Sequence, residues 1–219
     1  MIKFGFVFLV VLAGSAVWGV SRRGASDQAP RDSGPAQNRR LTALDGLLVY
    51  ILLVAIAATI LDLPRLLTAH YLVGFLLAPP VALKFGTTGY RLLRYYAGSP
   101  PYRLLGAPPM VLRFVVAPAL AVSTLIVFGS GIELWWFGLR FGTGWILAHT
   151  LSAVIMMFAV AAHLVAHMGG SLGAVRDEIS EPAAAFSRQS LIVASLAAGA
   201  VLAIASLLYA SPFSASVGG

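Results

Sequence analysis

The side chains with the most chemistry to offer are four histidines, and three of them fall in one stretch. Trp145 to His167 reads WILAHTLSAVIMMFAVAAHLVAH; it has no Asp, Glu, Lys or Arg, and it contains His149, His163 and His167. A run this long and apolar predicts a membrane-spanning helix. An ionisable group inside such a helix is costly, so its default reading is functional. His149 and His163 are fourteen residues apart. That is just under four turns, which sets both rings within about 40° of one face with an axial rise of about 21 Å. His167 follows His163 by four and shares that face. Neutral imidazoles placed this way can ligate a metal-bearing group near each end of a span. The bland alternative is a set of polar side chains bonded within a helix bundle.

The fourth histidine, His70, lies about one turn into a second apolar stretch, residues 66–85, LLTAHYLVGFLLAPPVALKF. Gly74, one turn later on the same face, lets a flat macrocycle or another helix come close. Lys84 stands fourteen residues after His70 and so repeats the His149–His163 interval. Pro79 and Pro80 each lack a backbone donor and are expected to disturb this helix.

These two stretches belong to a strongly apolar chain. Of its 219 residues 59% are hydrophobic and 11% charged, against about 25% charged for a soluble domain. The composition predicts an all-α integral membrane protein, whose setting is the lipid bilayer of a cell membrane, a bacterial plasma membrane by expectation. The net charge of +7 does not indicate a nucleic-acid partner, because the basic residues cluster between the apolar runs, as topology signals do. Cysteine is absent, which excludes Cys-ligated iron–sulfur clusters, c-type haem attachment and disulfides.

Six spans are expected, near 4–20, 41–61, 66–85, 111–130, 145–167 and 189–210. In domain terms, 1–20 is an N-terminal anchor that also has the look of a signal peptide. Residues 21–40 are a flexible basic linker, 41–168 a four-helix bundle, 169–188 a cytoplasmic loop, 189–210 a C-terminal span and 211–219 a tail. Asp45, near the start of the second span, reads as an interfacial or capping carboxylate without a role. Residues 86–113 carry Arg91, Arg94, Arg103 and Arg113 with no acid, and their tyrosines suit an interfacial segment on anionic lipid. Residues 131–143 read as a short external segment. Placing the arginine-rich segments 21–40, 86–113 and 168–188 in the cytoplasm makes the spans alternate without conflict. Spans three and five then run parallel, and His70 and His149 lie at one depth near the outer surface. Thr68, Ser152 or backbone carbonyls are the candidate acceptors for their second ring nitrogens.

On these residues the chain resembles the membrane-bound b-type cytochromes, such as respiratory cytochrome b, the ferric reductases and the haem subunits of periplasmic dehydrogenases. It is also similar to small actinobacterial haem-binding membrane proteins. The shared pattern is histidines on two helices of a four-helix bundle, paired at about fourteen-residue spacing. His149 and His163 match one half of it. His70 supplies one ligand of the other half, where Lys84 replaces the partner histidine. The resemblance covers roughly residues 41–168. It implies a four-helix haem-binding bundle with His70, His149 and His163 as metal ligands and Lys84, His167 and Gly74 in the cofactor site. One or two haems b would be held, the outer by His70 and His149, the inner by His163 with Lys84 opposite. The implied function is electron transfer between a redox partner protein or subunit and quinone or a cytoplasmic donor, with no catalytic residue in this chain. Two competing classes are a transporter or proton-conducting subunit and a non-redox structural anchor of a membrane complex. His163 and His167 at i, i+4 also form a zinc half-site with no third ligand nearby.

Overall fold

The computed structural model describes residues 2–21, 33–104, 106, 109–180 and 186–217. Among these, all regular structure is helical: α1 (Ile2–Ser21), α2 (Gly34–Thr59), α3 (Leu63–Tyr96), α4 (Pro100–Arg103), α5 (Ala117–Phe137), α6 (Gly144–Ser180), α7 (Phe186–Ser206) and α8 (Pro212–Val217). Five continuous helical stretches are long and apolar enough to cross a membrane, and the longest, Gly34–Tyr96, is the α2–α3 hairpin. A 3-10 turn, Ile60–Asp62, reverses the chain between its two arms.

Four helices enclose the centre. α2 packs on α3 and α6, α6 packs on α5, and α3 approaches α5 across the middle. α1 lies against α6 and α2, and α7 against α3. Small residues set both outer contacts. A Cβ on Gly19 would be driven into the Leu164 carbonyl of α6, and one on Gly199 into the Leu76 carbonyl of α3. Leu76 is four residues before Pro80, whose missing N–H leaves that carbonyl without its usual intrahelical donor. α7 therefore seats where the proline has bared the α3 backbone. Phe8 and Leu12 of α1 join Leu52, Leu53, Leu77, Met156 and Met157 in the main core.

Several helices outrun their apolar segments. α3 continues through Pro79 and Pro80 without a break and takes in 86–96; residues 34–40 belong to α2 rather than a linker. α2 starts there because Ser33 caps it, its hydroxyl oxygen accepting from the Ala36 N–H at 3.4 Å, and Pro35 suits the first turn. α6 extends to Ser180, across most of the expected polar loop. α5 carries Glu133, Trp135 and Trp136, expected in an external segment, to a stop at Gly138, whose φ of 63° favours glycine. Residues 207–217 are not a loose tail: Ser211 donates to the Trp135 carbonyl at 2.8 Å, and α8 packs on α5.

The polar extensions meet at one end of the bundle. Arg188 of α7 binds Glu178 of α6 through two bonds of 2.9 Å, and Arg40 of α2 stands 3.8 Å from the same carboxylate. All three side chains are buried. Asn38 donates to the Thr87 carbonyl at 3.1 Å, tying α2 to α3 at this level. Arg113 lies over the Tyr95, Tyr96 and Phe114 rings. The result is an arginine-rich end, opposite the end where α3 and α6 begin.

Candidate functional site

An elongated cavity of about 410 Å³ runs between the four central helices, and all four histidines, Lys84 and Gly74 line it. Two groups stand at its two ends.

At the end where α3 and α6 begin, His70 and His149 face each other, with ring centroids 6.2 Å apart and planes at 76°. The parallel course of α3 and α6 puts the two at one level, each about a turn from the start of its apolar segment. Their outer hydrogen bonds fix which nitrogen is free. Thr59 of α2 donates its hydroxyl to the Ile56 carbonyl at 2.6 Å. Its oxygen therefore accepts from Nδ1 of His70, 2.8 Å away. Nδ1 of His149 is 3.0 Å from the Val127 carbonyl, which can only accept. It is also 3.2 Å from Ser130, whose hydroxyl is already donated to the Ile126 carbonyl at 2.5 Å. Both imidazoles thus carry their proton on Nδ1 and keep the Nε2 lone pair for a ligand. Gly131 makes room for this pose, since a Cβ there would lie 3.1 Å from Cε1 of His149.

The spacing has a chemical meaning. Two metal–nitrogen bonds of about 2 Å, with roughly 1 Å more from each nitrogen to its ring centre, separate the centroids of a bis-imidazole complex by about 6 Å. A donor bond from the far nitrogen of each ring is the usual outer arrangement of a metal-binding histidine. Among the described residues no three His, Cys, Asp or Glu side chains gather to hold a metal ion. Two imidazoles alone suit a metal that brings its own in-plane donors, as haem does. Gly74 serves that shape, since a Cβ there would meet only Ile56 at 3.7 Å.

The second group lies toward the arginine-rich end. His163 and His167 lie next to each other on α6, with ring centroids 4.6 Å apart and planes tilted at 48°, and among the described residues no third ligand joins them. Lys84 of α3 reaches across to α2 and donates to the Thr42 carbonyl at 2.5 Å. Gly46 opens the niche for it, because a Cβ at that position would lie 2.5 Å from Nζ. Lys84 and His163 line the same cavity and are electrostatic neighbours, but the ammonium is anchored to the α2 backbone.

Three contributors lay outside the sequence expectations. Thr59 and Ser130 stand in place of Thr68 and Ser152, while the Val127 carbonyl is an acceptor of the expected backbone kind: Thr68 instead receives the Tyr71 hydroxyl at 3.3 Å, and Ser152 donates to Ala148 at 2.7 Å. Asp45 is no helix cap, since α2 begins at Gly34. It is wholly buried, and neither carboxylate oxygen has a hydrogen-bond partner among the described residues. Its place on α2, one turn after Thr42 and next to Gly46, near Lys84, could be found only once the α2–α3 register was known.

Comparison with protein-family models, with curated proteins and with solved structures finds no match to this chain.

Proposed function

We propose that this protein is a multi-pass membrane cytochrome of the b type, in which His70 and His149 hold one haem b as axial ligands. The observation that carries the reading is the facing imidazole pair at 6.2 Å, each ring tied by Nδ1 and open at Nε2. The mostly apolar cavity around the pair suits a planar macrocycle. Haem bound there would supply one-electron chemistry, and its carriers would be a redox partner protein or subunit on one side and quinone or a cytoplasmic donor on the other. The chain's own residues would orient the ligands and exclude water. The Lys84 end does not repeat the arrangement, since its ammonium is bound to Thr42, so this reading assigns one haem per chain.

The membrane setting is supported by the outer faces of the helices. Leu151, Ile155 and Phe158 of α6 and Val193, Val201 and Ile204 of α7 are all at least half exposed. Apolar faces of this extent need a cover that lipid provides. The arginine-rich end faces the cytoplasm, and the His70–His149 pair lies near the opposite surface.

A dithionite-reduced minus oxidised spectrum of the purified protein, with haem quantified per chain, is the test. One b-type haem per chain is expected. His70→Ala and His149→Ala should each abolish the same spectral component. A colourless protein, or full haem retained in both variants, sinks the proposal.

A further inference from the structure

The cavity's other end is lined by an ammonium, Lys84, and the Asp45 carboxylate is buried behind that lining; the haem reading leaves both unused. Asp45 is fully buried and its oxygens make no hydrogen bond among the described residues. Lys84, its electrostatic neighbour, directs one of its three donors to the Thr42 carbonyl. A buried charge is normally paired and hydrogen-bonded. Here the two opposite charges are held on facing helices without direct contact, and Gly46 keeps the niche open for Nζ. The carboxylate has lone pairs to receive a proton, and the ammonium has protons to give.

The surroundings supply a route. His167 is exposed and His163 half-buried, and their rings stand 4.6 Å apart along α6. Both act electrostatically on, or feel, Lys84, and Arg91 of α3 acts on Lys84 and His167. The charged groups on the packed helices are otherwise turned to each other: Arg40 of α2, Glu178 of α6 and Arg188 of α7 form the ion cluster nearer the arginine-rich surface. Arg39 lies on α2 beside that cluster in sequence, and Arg176 and Asp177 on α6 directly precede its glutamate. α1 brings no titratable side chain to this level, its lysine, Lys3, being at the other end.

We propose that Asp45 and Lys84 form a proton-exchange site that communicates with the arginine-rich surface through His167 and His163 and takes up one proton when the His70–His149 site takes up one electron. The electron comes from an external one-electron reductant. The proton comes from water at the arginine-rich face and ends on a carboxylate oxygen of Asp45, and no other bond changes. The driving reason is charge balance: an added charge in a low-dielectric interior is costly, and a proton taken up within the same helix bundle offsets it. The proton site stands on its own observations, whereas its link to the electron rests on the haem reading.

Two measurements test it. In the full-length protein reconstituted in phosphatidylcholine vesicles, an infrared difference spectrum across a pH step should show a carboxylic acid C=O band. That band should be lost in Asp45→Asn and kept, shifted, in Asp45→Glu. The His163→Leu/His167→Leu pair should slow its appearance at least tenfold. A spectrum unchanged by Asp45→Asn overturns the proton site, with or without haem. In the haem-loaded protein, dye-mediated redox titration should give a potential that falls with rising pH by up to about 59 mV per unit, the value for one proton per electron. Asp45→Asn should flatten that slope while leaving haem content and spectrum intact. An unchanged slope overturns the coupling. Absence of haem would show in the optical spectrum alone and leave the infrared result to decide the proton site.

Discussion

His70 and His149 hold their ring centres 6.2 Å apart at 76°, and neither ring is oriented by its own helix. His70 of α3 is tied to Thr59 of α2, and His149 of α6 to Val127 and Ser130 of α5. Each of the four central helices therefore contributes one part of a single constellation. The bundle cannot shift one helix without turning one of the two imidazoles, which is how a site is kept in register by packing.

This dependence gives the first prediction. Thr59→Val removes the acceptor for His70 while nearly preserving shape, and Ser130→Ala removes one of two acceptors for His149. Loss of an outer-shell partner costs about 10–100-fold in metal affinity. Thr59→Val should therefore fall in that range when haem retention is measured against apomyoglobin as a competing acceptor. Ser130→Ala should lose less, because the Val127 carbonyl remains at 3.0 Å. Equal retention in Thr59→Val and the unmodified protein would mean that His70 is oriented by something other than Thr59.

The six long helices and their approximate course were legible because each apolar run is long, whereas the short α4 and α8 were not. Nor were the ends of the long helices. The turns 34–40, 86–96 and 168–180 carry the Arg, Ser, Gly and Thr of loops, yet they are helical because α2, α3, α6 and α7 clasp one another there through Asn38, Glu178 and Arg188. Pro79 and Pro80 read as a break, but α3 spans them, with α7 seated by Gly199 on the carbonyl that Pro80 bares. The shared level of His70 and His149 was legible from their equal offset along parallel spans. Thr59, Ser130 and Asp45 were not, because their roles depend on the rotation of α2 and α5, helices that carry no histidine to mark a face.

Glu178 is the centre of the clasp. It is 1% exposed and takes both bonds from Arg188. Glu178→Gln keeps the shape but strips a buried guanidinium of its carboxylate. Breaking a buried pair from one side costs about 3–5 kcal/mol. A marked drop in the thermal midpoint in detergent is expected, with α7 the first element to become sensitive to protease. A midpoint within a degree of the unmodified protein would show that the clasp adds nothing to stability.

The glycines that seat the outer helices separate contact from propensity. Ala at Gly199 would overlap the Leu76 backbone of α3, whereas Ala at Gly14 has nothing within 4 Å to meet. Alanine in a helix is favoured over glycine by about 1 kcal/mol. Gly14→Ala should therefore be neutral or stabilising, and Gly199→Ala should lower the midpoint despite the same gain in propensity. Parallel melting curves of the two variants decide it, and a stabilised Gly199→Ala would mean that α7 does not press on α3 as closely as the Leu76 contact requires.

Orientation in the membrane is the last expectation, and it fixes which surface the proposed haem would serve. Residues 86–113 carry four arginines and no acid, against one of each in 131–143. The excess of Lys and Arg near span ends sets the cytoplasmic side. Ser99 lies in the turn between α3 and α4 at the arginine-rich end, and Thr143 just before α6 at the opposite end. The chain has no native cysteine, so Ser99→Cys and Thr143→Cys each give a single reactive thiol. In intact cells an impermeant maleimide should label Thr143→Cys and spare Ser99→Cys, and permeabilisation should expose the second. The reverse pattern would place the His70–His149 pair beside the cytoplasm and the Asp45–Lys84 site toward the exterior, with the proton then drawn from outside the cell.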